Sequence, residues 1–108
     1  HEGVRQALIA QHKAGKRIGA ICAAPMVLAS TGILEGKKAT CYPGFEQYFS
    51  ENTEYTAALF QEDGNVITGE GPAATLPYAY KILSYFVSKE TVAALQDGMM
   101  YDHLMKSK

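Results

Sequence analysis

The chain has 108 residues, 47% hydrophobic and 19% charged, an ordinary globular composition with room for one domain. Ten Lys and Arg against eleven Asp and Glu leave a net charge of −1, and no basic cluster exceeds Lys37-Lys38, so no nucleic acid or anionic lipid partner is expected. No apolar run reaches membrane-spanning length, no signal peptide opens the chain, and CxxC, HExxH and EF-hand patterns are absent; with His1, His12 and His103 far apart, neither a metal nor another cofactor is expected.

Val4, Ala7 and Leu8 form one apolar stripe and predict a helix over Glu2–Lys13, followed by Gly15. Residues 17–21 are a mostly apolar run, as expected of a strand covered on both faces. Residues 24–30 read as a helix with Pro25 in its first turn and Gly32 just past its end. Residues 38–41 predict a second short strand, and residues 45–49 a short helix after the Tyr42-Pro43-Gly44 turn. Residues 55–61 and 65–68 flank Glu62-Asp63-Gly64 as a hairpin. Gly69 to Pro72 is a tight loop, and residues 74–87 the longest helix. That helix carries two stripes, one of Leu76, Ala79, Tyr80 and Leu83 with Phe86 or Val87, the other of Tyr78, Ile82 and Tyr85. It is expected to be buried on more than one side, under other helices or against a second subunit. Ser88 is placed to cap a helix over residues 89–99 with Val92, Leu95 and Met99 inward, and Lys106-Ser107-Lys108 is expected to fray. A helix feeding a buried strand normally follows an earlier strand, so the 1–108 segment is expected to be one domain incomplete on its N-terminal side.

Cys22 is the candidate functional residue. It falls where the strand ends and the helix begins, so its side chain projects from the carboxyl end of a strand beside the first helical N–H groups. Those groups favour a thiolate. This is the logic of a strand–nucleophile–helix elbow with Cys in place of Ser; the alternative is a small buried apolar cysteine. Cys41, at the end of the second strand, reads as a buried structural cysteine or a resolving thiol. Two cysteines without framework spacing point to a reducing compartment, the cytoplasm. Gly69-Glu70-Gly71-Pro72-Ala73-Ala74 fits the loose pattern G-x-G-x-x-A. Pro72 removes an N–H from a phosphate cradle, however, and no strand with a terminal acid follows, so a turn at the mouth of the site is the better reading. Glu46, Glu51 and Glu54 read as a solvated acidic stretch, and His12 and His103 as exposed and inert.

Ala20-Ile21-Cys22-Ala23-Ala24-Pro25 resembles the nucleophile elbow of the DJ-1/ThiJ/PfpI superfamily, the class I glutamine amidotransferase-like proteins. Gly36-Lys37-Lys38-Ala39-Thr40-Cys41-Tyr42-Pro43 resembles the strand and loop beside that family's active site. Asp63-Gly64-Asn65-Val66-Ile67-Thr68 resembles its hairpin, and Gly71-Pro72 opens a long helix as in the family. The subgroup most similar is that of small proteins once labelled as thiazole monophosphate biosynthesis proteins. The resemblance implies a flavodoxin-like α/β sandwich, a parallel sheet between helices, in a homodimer with a reactive Cys22. It implies that the chain covers the later three-fifths of such a domain, with an acidic partner for the cysteine and a glycine pair before His1.

The chain departs from the family's pattern at two positions. Protease-like members carry His directly after the nucleophile, where this sequence has Ala23. Others carry His before the proline of the neighbouring loop, where it has Tyr42. A phenol shapes a pocket or donates a hydrogen bond but is a poor base near neutrality. The expected chemistry is addition of Cys22 to a small reactive carbonyl, a glyoxalase- or deglycase-like activity. The N–H of Ala23 would hold the oxyanion, and Tyr42, Gly71 and Pro72 would line the mouth. The alternatives are a non-enzymatic redox sensor or stress chaperone whose Cys22 is oxidised, and an amidotransferase- or peptidase-type hydrolase.

Overall fold

Ile18 and Ala20 alternate onto one face of strand β1 (Ile18–Ile21) and are both buried, which fixes where the core lies. The computed structural model describes residues 1–107. Helix α1 (Glu2–Lys13) precedes β1, and helix α2 (Pro25–Ser30) follows it. Then come β2 (Lys38–Ala39), a 3₁₀ turn (Phe45–Tyr48), β3 (Glu54–Tyr55), β4 (Phe60–Asp63) and β5 (Val66–Gly69). A 3₁₀ turn (Pro72–Ala74) leads into α3 (Thr75–Leu83), α4 (Lys89–Gly98) and α5 (Tyr101–Lys106). Two compact units divide after Tyr78.

The first unit is an α/β arrangement, a small sheet flanked by helices. Its three-stranded sheet has the order β1-β5-β4, with β1 and β5 parallel and in register from Ile18↔Val66 to Ile21↔Gly69. The sheet is therefore mixed: β4 returns antiparallel to β5 because only Gly64 and Asn65 separate them, too short for a crossover. Leu28 of α2 joins Ile18, Ala20, Ile33, Leu34, Ala39 and Val66 in the core, with Leu8 of α1, Ala29 and Phe49 packed against it. The opposite face of β1 is more open than a strand apolar on both faces leads one to expect. Gly19 is exposed and Ile21 half-buried, and Tyr78 lies across Gly19: an added Cβ there would stand 2.6 Å from its hydroxyl.

The expected strand over residues 55–61 is two strands. Ala57 sits in left-handed backbone (φ 55°), which breaks any ladder. Before the break, β3 pairs parallel to β2; after it, β4 pairs with β5. The second strand stops at Ala39 rather than at residue 41, because Thr40 turns its N–H to a side chain. That N–H donates to Thr68 Oγ1 at 2.9 Å, and Thr40 Oγ1 donates to the Ala58 carbonyl at 2.7 Å. The hairpin is closed by polar ties: Asp63 accepts the Lys38 N–H at 2.8 Å, and Asn65 Nδ2 donates to the Lys16 carbonyl at 2.7 Å.

In the second unit Ser88 caps α4, accepting the Thr91 N–H at 3.1 Å. Tyr80 is buried; its ring meets Tyr101 edge-on at 4.9 Å, and its hydroxyl reaches Met99 Sδ at 3.2 Å. The expected inward face of α4 is only partly inward: Val92 is buried, while Leu95 and Met99 are exposed. The long helix is shorter than the 74–87 expected. Residues 84–87 form a turn in which Phe86 is exposed, and in the second stripe Tyr78, Ile82 and Tyr85 are half-buried. Lys106 closes α5 rather than fraying; Lys108 lies outside the described residues. No helix among the described residues is long and apolar enough to cross a membrane.

Thr68 is 1% exposed, and among the described residues its hydroxyl is the sole partner of the buried Thr40 N–H. Thr68→Val keeps the shape and strands that donor, so urea unfolding should give a loss of about 1–3 kcal/mol. An unchanged midpoint would mean that the pairing contributes nothing.

Candidate active site

The β1–β5 ladder delivers Cys22. Its last bond runs from the Cys22 N–H to the Gly69 carbonyl, at 3.0 Å. There the chain turns abruptly: Cys22 lies in left-handed backbone, φ 66°, a region that costs a residue bearing a Cβ on the order of 1–2 kcal/mol. The Cys22 carbonyl is taken by the Tyr42 N–H at 2.8 Å, and the Ala24 N–H closes the turn onto Ile21 at 3.1 Å. Cys22 is thus pinned on one side by the end of β5 and on the other by the loop after β2, and it is half-buried. α2 has six residues, so the elbow offers local N–H groups more than a long helix dipole. Pro25 has none to give, and the N–H of Ala23 has no partner among the described residues. A free amide therefore sits directly beside the cysteine.

Cys41 is the opposite kind of thiol. It is fully buried and one residue from the Tyr42 amide that binds the Cys22 carbonyl. Burial pushes its thiol up to about 11, and the nearby charges of Glu46, Cys22 and Glu70 push the same way. That places it in the structural reading and leaves it a poor resolving thiol near neutrality. Burial, then Glu46, Cys41 and Glu70, also raises the Tyr55 phenol.

Tyr42, Gly71 and Pro72 come together with Pro43, Glu70, Ala73 and Ala74 around a cleft of about 240 Å³. Gly71 is buried against Tyr42, whose Cδ2 would stand 3.4 Å from an added Cβ. Tyr42 is 46% exposed, at the mouth. Cys22 is not among the lining residues; the Tyr42 amide connects the cleft to it. A second depression, of about 290 Å³, is lined by Met26, Val27, Ser30 and Tyr48 and holds neither cysteine. Among the described residues no group of three His, Cys, Asp or Glu could hold a metal ion.

Two carboxylates escaped sequence reasoning. Glu46 is not merely part of a solvated stretch: it accepts the Gly44 N–H at 2.7 Å, and its charge acts on Cys41 and Tyr55. Glu70 lines the cleft. The signal for Glu46 was Gly44, whose positive φ (104°) allows a turn that folds the glutamate back. His12, expected to be exposed, is half-buried with Nδ1 unpartnered among the described residues.

The DJ-1/PfpI family model matches residues 1–85, and the chain belongs to that family. Protein dj-1beta of Drosophila melanogaster is 37% identical over 94 residues, covering 86% of this chain and 50% of its own. The crystal structure of Drosophila melanogaster DJ-1beta superposes with a TM-score of 0.86 at 36% identity, over 93% of this chain and 54% of that one. The structure of oxidized Toxoplasma gondii DJ-1 gives 0.80 at 28% identity, over 89% of this chain and 52% of that one. A Pyrococcus horikoshii protein named as a deglycase is 37% identical over 60 residues, 55% of this chain and 36% of its own. The chain spans about half the length of the first curated relatives it matches. These neighbours bear out the flavodoxin-like α/β expectation.

The Cys41 thiol gives a pH dependence with a definite sign. Raised from about 9 to about 11, it keeps its proton in the folded chain through a window where the unfolded chain loses it. Stability is therefore full below about 9 and falls as pH rises toward about 11. The raised phenols of Tyr55 and Tyr78 act in the same direction. Cys41→Ala should flatten this alkaline decline in unfolding free energy; an identical pH profile would place the thiol in contact with solvent.

Proposed function

We propose that this chain carries the reactive cysteine of a DJ-1/PfpI protein that acts on small reactive carbonyls, with Cys22 as the nucleophile. The observation that carries the reading is Cys22 in left-handed backbone, at the end of a paired strand, with the unpartnered Ala23 N–H beside it. A side chain held at such cost, next to an unused donor, suits attack on a carbonyl carbon whose oxygen that donor receives. The Cys22 thiol adds across the aldehyde C=O: the S–C bond forms, and the thiol proton passes to the carbonyl oxygen, giving a hemithioacetal. The relative named as a deglycase in Pyrococcus horikoshii supports carbonyl chemistry. Tyr42, Gly71 and Pro72 belong to the mouth through which a small substrate enters. Tyr42 in place of a histidine leaves the substrate's own acidity and solvent to carry more of the proton transfer. The homodimer and the cytoplasmic setting belong to the same proposal.

Oxidation of Cys22 is the second reading, favoured by the similarity to oxidized Toxoplasma gondii DJ-1. There the Cys22 sulfur would attack the O–O bond of a peroxide, gaining one oxygen as the sulfenic acid while the peroxide leaves as water or an alcohol, and the Ala23 N–H would hold the sulfur oxyacid.

Multiple-turnover consumption of methylglyoxal separates the two. Cys22→Ser is close in size and should fold, yet it should lose activity ~10²-fold or more. Full retention would remove Cys22 from the chemistry. Peroxide-dependent oxygen gain on the Cys22 peptide, without turnover, would favour the second reading.

A further inference from the structure

Among the described residues lining the cleft, Glu70 is the one carboxylate, and no Lys, Arg or His joins it. Its backbone is fixed: its N–H donates to the Leu59 carbonyl at 2.9 Å, and it directly follows Gly69, whose carbonyl takes the Cys22 N–H. Among the described residues it has no ion-pair partner. Tyr42 adds a neutral phenol, and the other walls are apolar or backbone, with Pro43, Pro72, Ala73 and Ala74 around it. A charge beside such walls is screened less than one in open water and projects along the opening. Tyr42, which lines the cleft with Glu70, donates its N–H to the Cys22 carbonyl, so cleft residues flank both backbone bonds that hold the cysteine.

We propose that Glu70 is a specificity-determining residue that turns Cys22 away from anionic electrophiles, so that the preferred substrates are uncharged or amine-bearing carbonyl compounds and not 2-oxo acids. The inference rests on the reading of Cys22 as the nucleophile. A negative charge on the substrate meets Glu70 on its way in, with no cation in the lining to offset it. A neutral dicarbonyl meets no such barrier, and an ammonium group gains.

Alkylation of Cys22 in the full chain tests this without requiring turnover. Iodoacetamide and iodoacetate react alike, the sulfur displacing iodide to form an S–C bond, but one reagent is neutral and the other anionic. The readout is the ratio of their rate constants at Cys22, followed by peptide mass spectrometry. In Glu70→Gln that ratio should fall roughly threefold or more, and further in Glu70→Lys. In Glu51→Gln, an exposed site off the cleft, it should not move. Added salt should lower the ratio more in the unsubstituted protein than in Glu70→Gln, and Glu70→Ala supplies a second neutral variant should Glu70→Gln fold poorly. A ratio unchanged when Glu70 is neutralised overturns the inference and leaves the nucleophile reading standing. Failure of Cys22 to react with either reagent overturns both.

Discussion

The parallel ladder between Ile18–Ile21 and Val66–Gly69 sets the position of everything at the site. Its final bond, from the Cys22 N–H to the Gly69 carbonyl, is also the first point at which the chain leaves the sheet. A strand held to that point, followed by a helix starting at Pro25, leaves residues 22–24 to reverse the chain, and Cys22 takes the left-handed conformation that the reversal demands. Gly69 has to be glycine for the ladder to close this tightly. A Cβ there would stand 2.8 Å from Ile21 Cγ1 and 2.9 Å from Tyr78 Cδ1, distances that side chains do not tolerate without displacement. The strain at Cys22 is thus sustained by pairing on one side and by close packing on the other.

From that frame the two cysteines acquire opposite characters although their backbones are neighbours. Cys22 is half-buried at the strand end beside a free amide. Cys41 is fully buried, and burial raises its thiol so that it keeps its proton near neutrality. One chemical group in two environments gives one candidate nucleophile and one small apolar filler. Glu70 is the one charged side chain among the described residues lining the cleft, which is what makes substrate charge the proposed basis for selection there.

Much of this was legible in the sequence, for physical reasons that differ by element. The 3.6-residue stripe of Val4, Ala7 and Leu8 and the dense apolar run before Cys22 are strong periodic signals, and α1 and β1 fall where they indicate. Ser88 announced a helix start because few residues serve that role. The break at Ala57 was invisible, since alanine carries no preference for left-handed backbone and is flanked by tertiary hydrogen bonds from Thr40 Oγ1 to the Ala58 carbonyl and from the Thr56 N–H to the Ala39 carbonyl. The parallel pairing of β2 with β3 joins residues sixteen apart (Lys38 with Glu54, Ala39 with Tyr55) through strands of two residues each, too short to leave a period. Glu70 was hidden inside a motif read for its glycines. Cleft residues meet only through the fold, so their grouping came from the ladder and not from spacing.

The strain at residue 22 is the central claim, and comparison of Cys22→Gly with Cys22→Ala tests it most directly. Both remove the thiol, and neither leaves a polar group behind. At φ 66° glycine pays no Cβ penalty, so the glycine variant should be the more stable by about 1 kcal/mol in urea unfolding, even after its greater unfolded-state entropy. If the alanine variant is equal or more stable, the elbow is unstrained at this residue, and the backbone argument for Cys22 as the functional centre fails.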